Sequence, residues 1–135
     1  MKKPKVIITR RLQDRVEKRM KELFNVDLSS AEYPISKQEL LSAVKDAEVL
    51  VPTIGDKIDA SILSAASSKL KLIANYGAGY DHIDIKTALQ RGIIVTNTPS
   101  VLTTDTADMT MALILAIPRK SVSYTHLTLP TKRIV

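Results

Sequence analysis

Apolar residues in this chain follow two alternating rhythms. Lys5–Thr9 (Lys-Val-Ile-Ile-Thr) is a short β-branched run suited to a buried strand. Leu12, Val16, Met20 and Leu23 then recur at helical spacing, which predicts an amphipathic helix over roughly 12–23. Asn25–Leu28 is a second strand candidate. After Pro34, Ser36-Lys-Gln-Glu39 has the form of a capping box, in which Ser36 accepts from a first-turn amide and Glu39 reaches back. The helix it opens turns Leu40, Leu41 and Val44 inward. Glu48–Thr53 is a third strand ended by Pro52 and Gly55, and Asp59 starts a third helix carrying Ile62, Leu63 and Ala66. Leu70–Ala74 is a fourth strand, Ile83–Gln90 a fourth helix stopped by Gly92, and Ile93–Thr96 a fifth strand.

Strands alternating with helices across short loops predict a parallel sheet covered on both faces. A final helix over Thr103–Arg119 is apolar nearly all round from Met109 to Ile117, so protein should cover it on most sides. No later segment offers that cover, which reads as truncation; the bare helix predicts poor solubility or self-association.

Composition narrows the class without naming a function. A chain of 135 residues holds one domain with a real core, and 44% hydrophobic with 25% charged residues is ordinary for a globular protein. With no Cys there is no disulfide framework and no thiolate metal site. Met1-Lys2-Lys3-Pro4 leads into a strand and not into a secretory apolar core. The longest apolar stretch, Met109–Ile117, falls well short of the roughly 20 residues of a membrane span. A cytoplasmic protein without a membrane partner is expected. The formal charge of +6 raises nucleic acid, but Lys18, Arg19 and Lys21 alternate with Glu17 and Glu22 as on a solvated face, and only 4% of residues are aromatic. No nucleic-acid partner is expected.

The last fifteen residues read differently from the rest. Val122–Leu127 (Val-Ser-Tyr-Thr-His-Leu) looks like the translation of GTC TCT TAT ACA CAT CT, the end of a transposon-based sequencing adapter, and Leu127–Thr131 looks like its continuation. Residues 121–135 are therefore expected to be a non-native tail in which Tyr124 and His126 carry no function; the plainer alternative is an irregular tail or a stray exposed strand, since Tyr124, His126 and Thr128 alternate weakly with other residues. Setting aside Lys132 and Arg133 lowers the formal charge from +6 to +4.

The chemistry is expected outside the carboxyl ends of the strands. The turn after the fourth strand reads Tyr76-Gly77-Ala78-Gly79-Tyr80-Asp81. Gly77 and Gly79 allow positive φ and leave room for close approach, while successive amides feeding a helix start form an anion-binding concavity. A substrate carboxylate could sit on the Ala78 and Gly79 amides; equally, two glycines can simply make a tight turn, with Asp81 capping the next helix. The turn is not the dinucleotide fingerprint, which would need a glycine where His82 stands.

The run Gly77-Ala-Gly-Tyr-Asp81, followed by Asn97-Thr-Pro99 and Thr106-Ala-Asp108, resembles the D-isomer-specific 2-hydroxyacid dehydrogenases, in particular their glyoxylate/hydroxypyruvate reductase branch. The resemblance covers about residues 4–119. It implies a flavodoxin-like five-stranded substrate lobe over 1–99, a connecting helix over 100–120, and an absent Rossmann cofactor domain binding NAD or NADP. It implies that the backbone of Ala78 and Gly79 holds the carboxylate of a small 2-oxo or 2-hydroxy acid. Leu102 would lie near the substrate, and Thr53 and Ile54 would form the pocket wall. Ala78 would border the nicotinamide ribose and Thr106 would line the nicotinamide pocket, unless the Thr106 hydroxyl only serves its helix. The catalytic Arg, Glu and His would lie downstream, leaving no catalytic residue here, and the parent would be a homodimer formed largely through its cofactor domains. His82, the only histidine outside the tail, matches a first-turn surface position.

Two other readings compete. A phosphate-accepting receiver domain needs carboxylates after its first and third strands, where this chain has Thr9-Arg10-Arg11 and Pro52-Thr53-Ile54. That reading fails. A short non-catalytic lobe that binds a small carboxylate or a protein partner remains the alternative.

Overall fold

The computed structural model describes residues 3–29 and 33–118. The predicted alternation folds as β1 (Lys5–Ile8), α1 (Asp14–Leu23), β2 (Asn25–Leu28), α2 (Lys37–Asp46), β3 (Val49–Val51), α3 (Ala60–Ser64), β4 (Leu72–Ala74), α4 (Ile85–Gln90), β5 (Ile94–Thr96) and α5 (Thr103–Ala116). All strand pairs are parallel, in the order β2-β1-β3-β4-β5. That is the flavodoxin-like order, expected from the resemblance. The chain divides into two compact units, Met1–Pro99 and Ser100–Val135.

Strand alternation sends side chains to opposite faces of the sheet. On one face, Leu50 and Ile73 join Leu40, Val44, Ile62, Leu63 and Ala88 from α2, α3 and α4 in a single buried cluster. On the other, Val6, Ile8 and Val51 are packed by Leu12, Met20 and Phe24 around α1. This second layer is thinner, since α1 leaves Val16 and Leu23 exposed.

The helix starts show how local chemistry sets boundaries. Ser36 Oγ accepts from Glu39 N at 3.3 Å while Glu39 Oε2 accepts from Ser36 N at 2.8 Å, so the capping box forms as predicted. These contacts hold the Glu39 carboxyl below its usual range, the Ser36 hydroxyl contributing most. Asp59 caps α3 by accepting from Ile62 N at 3.0 Å. With the Ser61 hydroxyl as the leading cause, its carboxyl is lowered to about 2.

The fourth helix starts later than its apolar pattern suggested. Asp84 is its cap, accepting from Thr87 N at 3.1 Å, so Asp81 does not cap it and His82 is not in its first turn. The reason is a competing contact: Ile58 and Ile83 form a parallel bridge, with Ile58 N donating to His82 O at 2.8 Å. Just before that bridge Ile83 N donates to Tyr80 O at 2.9 Å, and just after it Asp84 N donates to Ile58 O at 2.9 Å, so Asp81 and His82 sit in a turn and the helix begins only once the chain has left the bridge.

In α5 no residue is buried, and Met109, Met111, Leu113, Ile114 and Leu115 are each more than half exposed. The apolar surround read from the sequence is present along this helix. Among the described residues no helix is long and apolar enough to cross a membrane. The tail 121–135 lies outside the described residues.

Candidate functional site

The strand order reverses between β1 and β3, which places a crevice beyond their carboxyl ends. Thr9 and Thr53 lie there, both buried, around the buried carboxylate of Asp56. Asp56 Oδ2 accepts from Thr9 Oγ1 at 2.6 Å, Thr53 N at 2.8 Å and Thr53 Oγ1 at 3.1 Å. One carboxylate oxygen thus pins the loop after β3 to the end of β1. Tyr76 N donates to Pro52 O at 2.9 Å, and Thr53 and Tyr76 form an isolated parallel bridge, so the turn after β4 is tied to the same loop. Of the two predicted wall residues, Thr53 turns its hydroxyl inward to Asp56, whereas Ile54 is 69% exposed.

The glycines of the next turn work by space and not by handedness. Among the described residues only Gly92 and Ser100 have positive φ, which corrects the expectation for Gly77 and Gly79. A Cβ placed on Gly79 would meet nothing within 4 Å, and one on Gly77 would meet Asn75 Nδ2 at 3.6 Å. Gly79 is therefore the open approach to the turn.

The three central carbonyls of the turn are held. Gly77 O accepts from Asn75 Nδ2 at 3.2 Å and from Thr98 N at 3.0 Å. Ala78 O accepts from Asn97 Nδ2 at 2.7 Å, and Gly79 O from Asn75 Nδ2 at 2.8 Å. The amides of Ala78 and Gly79, both exposed residues, meet no protein acceptor among the described residues. Two adjacent N–H donors on a fixed backbone, free toward solvent, suit a planar anion.

Cations stand nearby. Arg10 follows β1, and its Nη2 lies 3.1 Å from where a Gly55 Cβ would sit. Its Nε and Nη2 are buried without a hydrogen-bond acceptor. Arg10, Arg11, Leu12, Gln13 and Tyr76 line an open hollow of about 400 Å³. Such placement favours negative charge in the crevice.

His82 is half-buried, and its Nε2 lies 3.1 Å from Asn75 Oδ1. Since Asn75 Nδ2 donates to two carbonyls, Oδ1 is the acceptor and His82 Nε2 donates. Burial lowers the imidazole pKa from its ordinary value, with Asp56 and Asp81 opposing. The ring braces the turn and does not project as a free proton donor.

Leu102 and Thr106 belong to the second unit, one helical turn apart at the start of α5. Thr106 Oγ1 donates to Leu102 O at 2.7 Å. The hydroxyl serves its own helix and keeps its lone pairs for a donor. Among the described residues no group of three or more His, Cys, Asp or Glu is placed to hold a metal ion.

Sequence reasoning had not singled out Asp56, Asn75, Asn97 or Arg10 as site residues. The available signals were a polar Asn75 ending an apolar strand and an acidic Asp56 directly after Gly55.

Residues 6–131 match the family model described as D-isomer specific 2-hydroxyacid dehydrogenase, catalytic domain. A glyoxylate reductase of Thermococcus onnurineus is 45% identical over 118 residues, spanning 87% of this chain and 35% of that protein. The solved TT0316 protein of Thermus thermophilus is 40% identical, with a TM-score of 0.78 over 96% of this chain and 42% of its own. An NADPH-dependent glyoxylate/hydroxypyruvate reductase of Sinorhizobium meliloti, solved with NADP and malonate, is 25% identical with a TM-score of 0.67 over 93% of this chain and 39% of its own. The chain spans about a third of the length of the curated relatives it matches. With a flavodoxin-like parallel sheet, a carbonyl-anchored Gly-Ala-Gly turn and a family match over most of its length, the chain belongs to the D-isomer-specific 2-hydroxyacid dehydrogenases.

Proposed function

We propose that this chain is the substrate lobe of an oxidoreductase that moves a hydride between NADH or NADPH and a small 2-oxo acid such as glyoxylate or hydroxypyruvate. One observation carries the assignment: Ala78 and Gly79 present adjacent, exposed amides without a protein acceptor, while the carbonyls around them are tied down. Each amide would donate to the substrate carboxylate and so fix the acid end of a 2-oxo acid on this turn. Thr53 and the exposed Ile54 contribute to the pocket wall, and the family pattern alone puts Leu102 near the substrate.

The nicotinamide supplies or takes the hydride when bound. Ala78 borders its ribose, and Thr106, whose hydroxyl is left as an acceptor, lines its pocket. The proton-giving imidazole, its Glu partner and the substrate Arg belong to the part of the family's length beyond this chain. His82 is not that imidazole, because its Nε2 donates to Asn75. The parent acts as a homodimer in the cytoplasm, without nucleic-acid or membrane partners.

The test is a titration of the ¹⁵N-labelled chain with sodium oxalate, an unreactive mimic of the 2-oxo carboxylate, at constant ionic strength. The Ala78 and Gly79 amide resonances should move together and saturably, more than those of other loops. Saturable shifts located elsewhere, or none at this turn, would remove the assignment.

A further inference from the structure

We infer that Asn75 and Asn97 are positioning residues that each aim one carboxylate-binding amide, Asn75 the Ala78 N–H and Asn97 the Gly79 N–H, with His82 locking Asn75 in place. The inference rests on the carboxylate assignment to this turn and says what makes the turn competent.

A trans peptide is planar, and its C=O and N–H point in opposite directions. Fixing a carbonyl therefore fixes the direction of the next residue's amide. Gly77 O shares its peptide plane with Ala78 N–H; that oxygen is held by Asn75 Nδ2 at 3.2 Å and by Thr98 N at 3.0 Å. Ala78 O shares its plane with Gly79 N–H and is held by Asn97 Nδ2 at 2.7 Å. The second Asn75 bond, to Gly79 O at 2.8 Å, closes the turn from its far side. Two side chains from two different strand ends thus hold the carbonyls, and both amides face away from them.

The Asn75 side chain has one chemically sensible orientation. Turned over, its oxygen would face two carbonyl oxygens and its nitrogen would face the donor of His82. Asn75 is only 3% exposed, so such a mismatch would stay desolvated. His82 Nε2, 3.1 Å from Asn75 Oδ1, keeps its hydrogen in both the neutral and the protonated ring, so the brace holds in either charge state. Asn97 is half-buried and lies just past β5, at the Asn97-Thr-Pro99 step. Pro99 restrains Thr98, the residue before it, to extended backbone. Thr98 N also donates to Gly77 O, so this step holds the turn at two points.

The test repeats the oxalate titration on Asn97→Ala and Asn75→Ala, reading each amide and the melting temperature separately. Asn97→Ala should weaken oxalate binding about 5-fold or more, the worth of one aiming hydrogen bond. Its Gly79 resonance should lose its response while Ala78 keeps part of its own. Asn75→Ala should show the reverse. Should Asn75→Ala not fold, His82→Leu carries that arm, because it removes only the brace, and should reduce the Ala78 response more than the Gly79 response. A lowered melting temperature with the response at both amides unchanged would assign the asparagines a structural role only and overturn the inference. Variants that bind as wild type does would overturn it while leaving the carboxylate assignment standing. No response in the wild type would remove both.

Discussion

Replacing Gly79 by valine should weaken oxalate binding about 100-fold or more and leave the melting temperature within about 3 °C of wild type. The asymmetry follows from where the new atoms go. A Cβ at Gly79 meets no heavy atom within 4 Å, and the residue does not need positive φ, so the fold accepts the substitution. A Cβ is nevertheless bonded two atoms from its own amide nitrogen, and its two methyls crowd whatever approaches that N–H. Charge-assisted hydrogen bonds are each worth about 1.5–3 kcal/mol, and losing the pair at Ala78 and Gly79 corresponds to at least about 100-fold. Titration of the variant beside a thermal melt checks both halves. Normal oxalate affinity would mean that the ligand does not sit on this amide, and a large loss of stability would mean that the turn is packed more tightly than its open surroundings indicate.

Asp56→Ala should have the opposite profile, costing about 3 kcal/mol of stability. Asp56 Oδ2 is the acceptor for two threonine hydroxyls and the Thr53 amide, all buried. Alanine leaves the Thr53 amide and hydroxyl in a protein interior without the oxygen that satisfied them, and leaves Thr9 Oγ1 with only its longer 3.3 Å bond to Val51 O; unpaired buried polar groups are costly. For a unit of about 100 residues, that loss lowers the melting temperature by roughly 10–20 °C. Asp56→Asn, which keeps one acceptor oxygen, should lose less. Urea or thermal denaturation of the three proteins decides the matter: a loss below about 1 kcal/mol for the alanine variant would show that the network does not anchor the loop after β3.

The parts of the fold legible in the sequence were those governed by periodicity and caps. Val6, Ile8, Leu50 and Ile73 had to be buried strand residues, and the Ser36–Glu39 box and the Asp59 cap form at the predicted positions. Element ends were less legible because they depend on distant partners. Nothing local distinguishes Asp81 from Asp84 as a cap; the choice is made by Ile58, whose amide takes the His82 carbonyl and whose carbonyl takes the Asp84 amide, so the helix starts only after Asp84.

The site divides along the same line. The Gly77-Ala78-Gly79 turn stands out in the sequence because two glycines after a buried strand are conspicuous. Their purpose was misread in part: the glycines supply clearance, and the shape of the turn comes from Asn75 and Asn97, which lie two residues before and eighteen residues after it. Side-chain bonds to main-chain carbonyls leave no periodic signature. His82 looked like a surface residue because the helix was placed two residues too early; its true neighbour is a buried asparagine seven positions back.

The most direct measurement is to read the gene from source DNA across codon 120, using primers unrelated to any library adapter, then express the complete frame and assay it. The expected frame continues into a Gly-x-Gly-x-x-Gly loop with later Arg, Glu and His. Its product should oxidise NADH or NADPH only when glyoxylate or hydroxypyruvate is present, while the 135-residue chain alone shows no turnover. Source DNA that encodes residues 121–135 followed by a stop, or a complete frame without 2-oxo acid reduction, would contradict the proposal and leave a lobe that binds a carboxylate without transforming it.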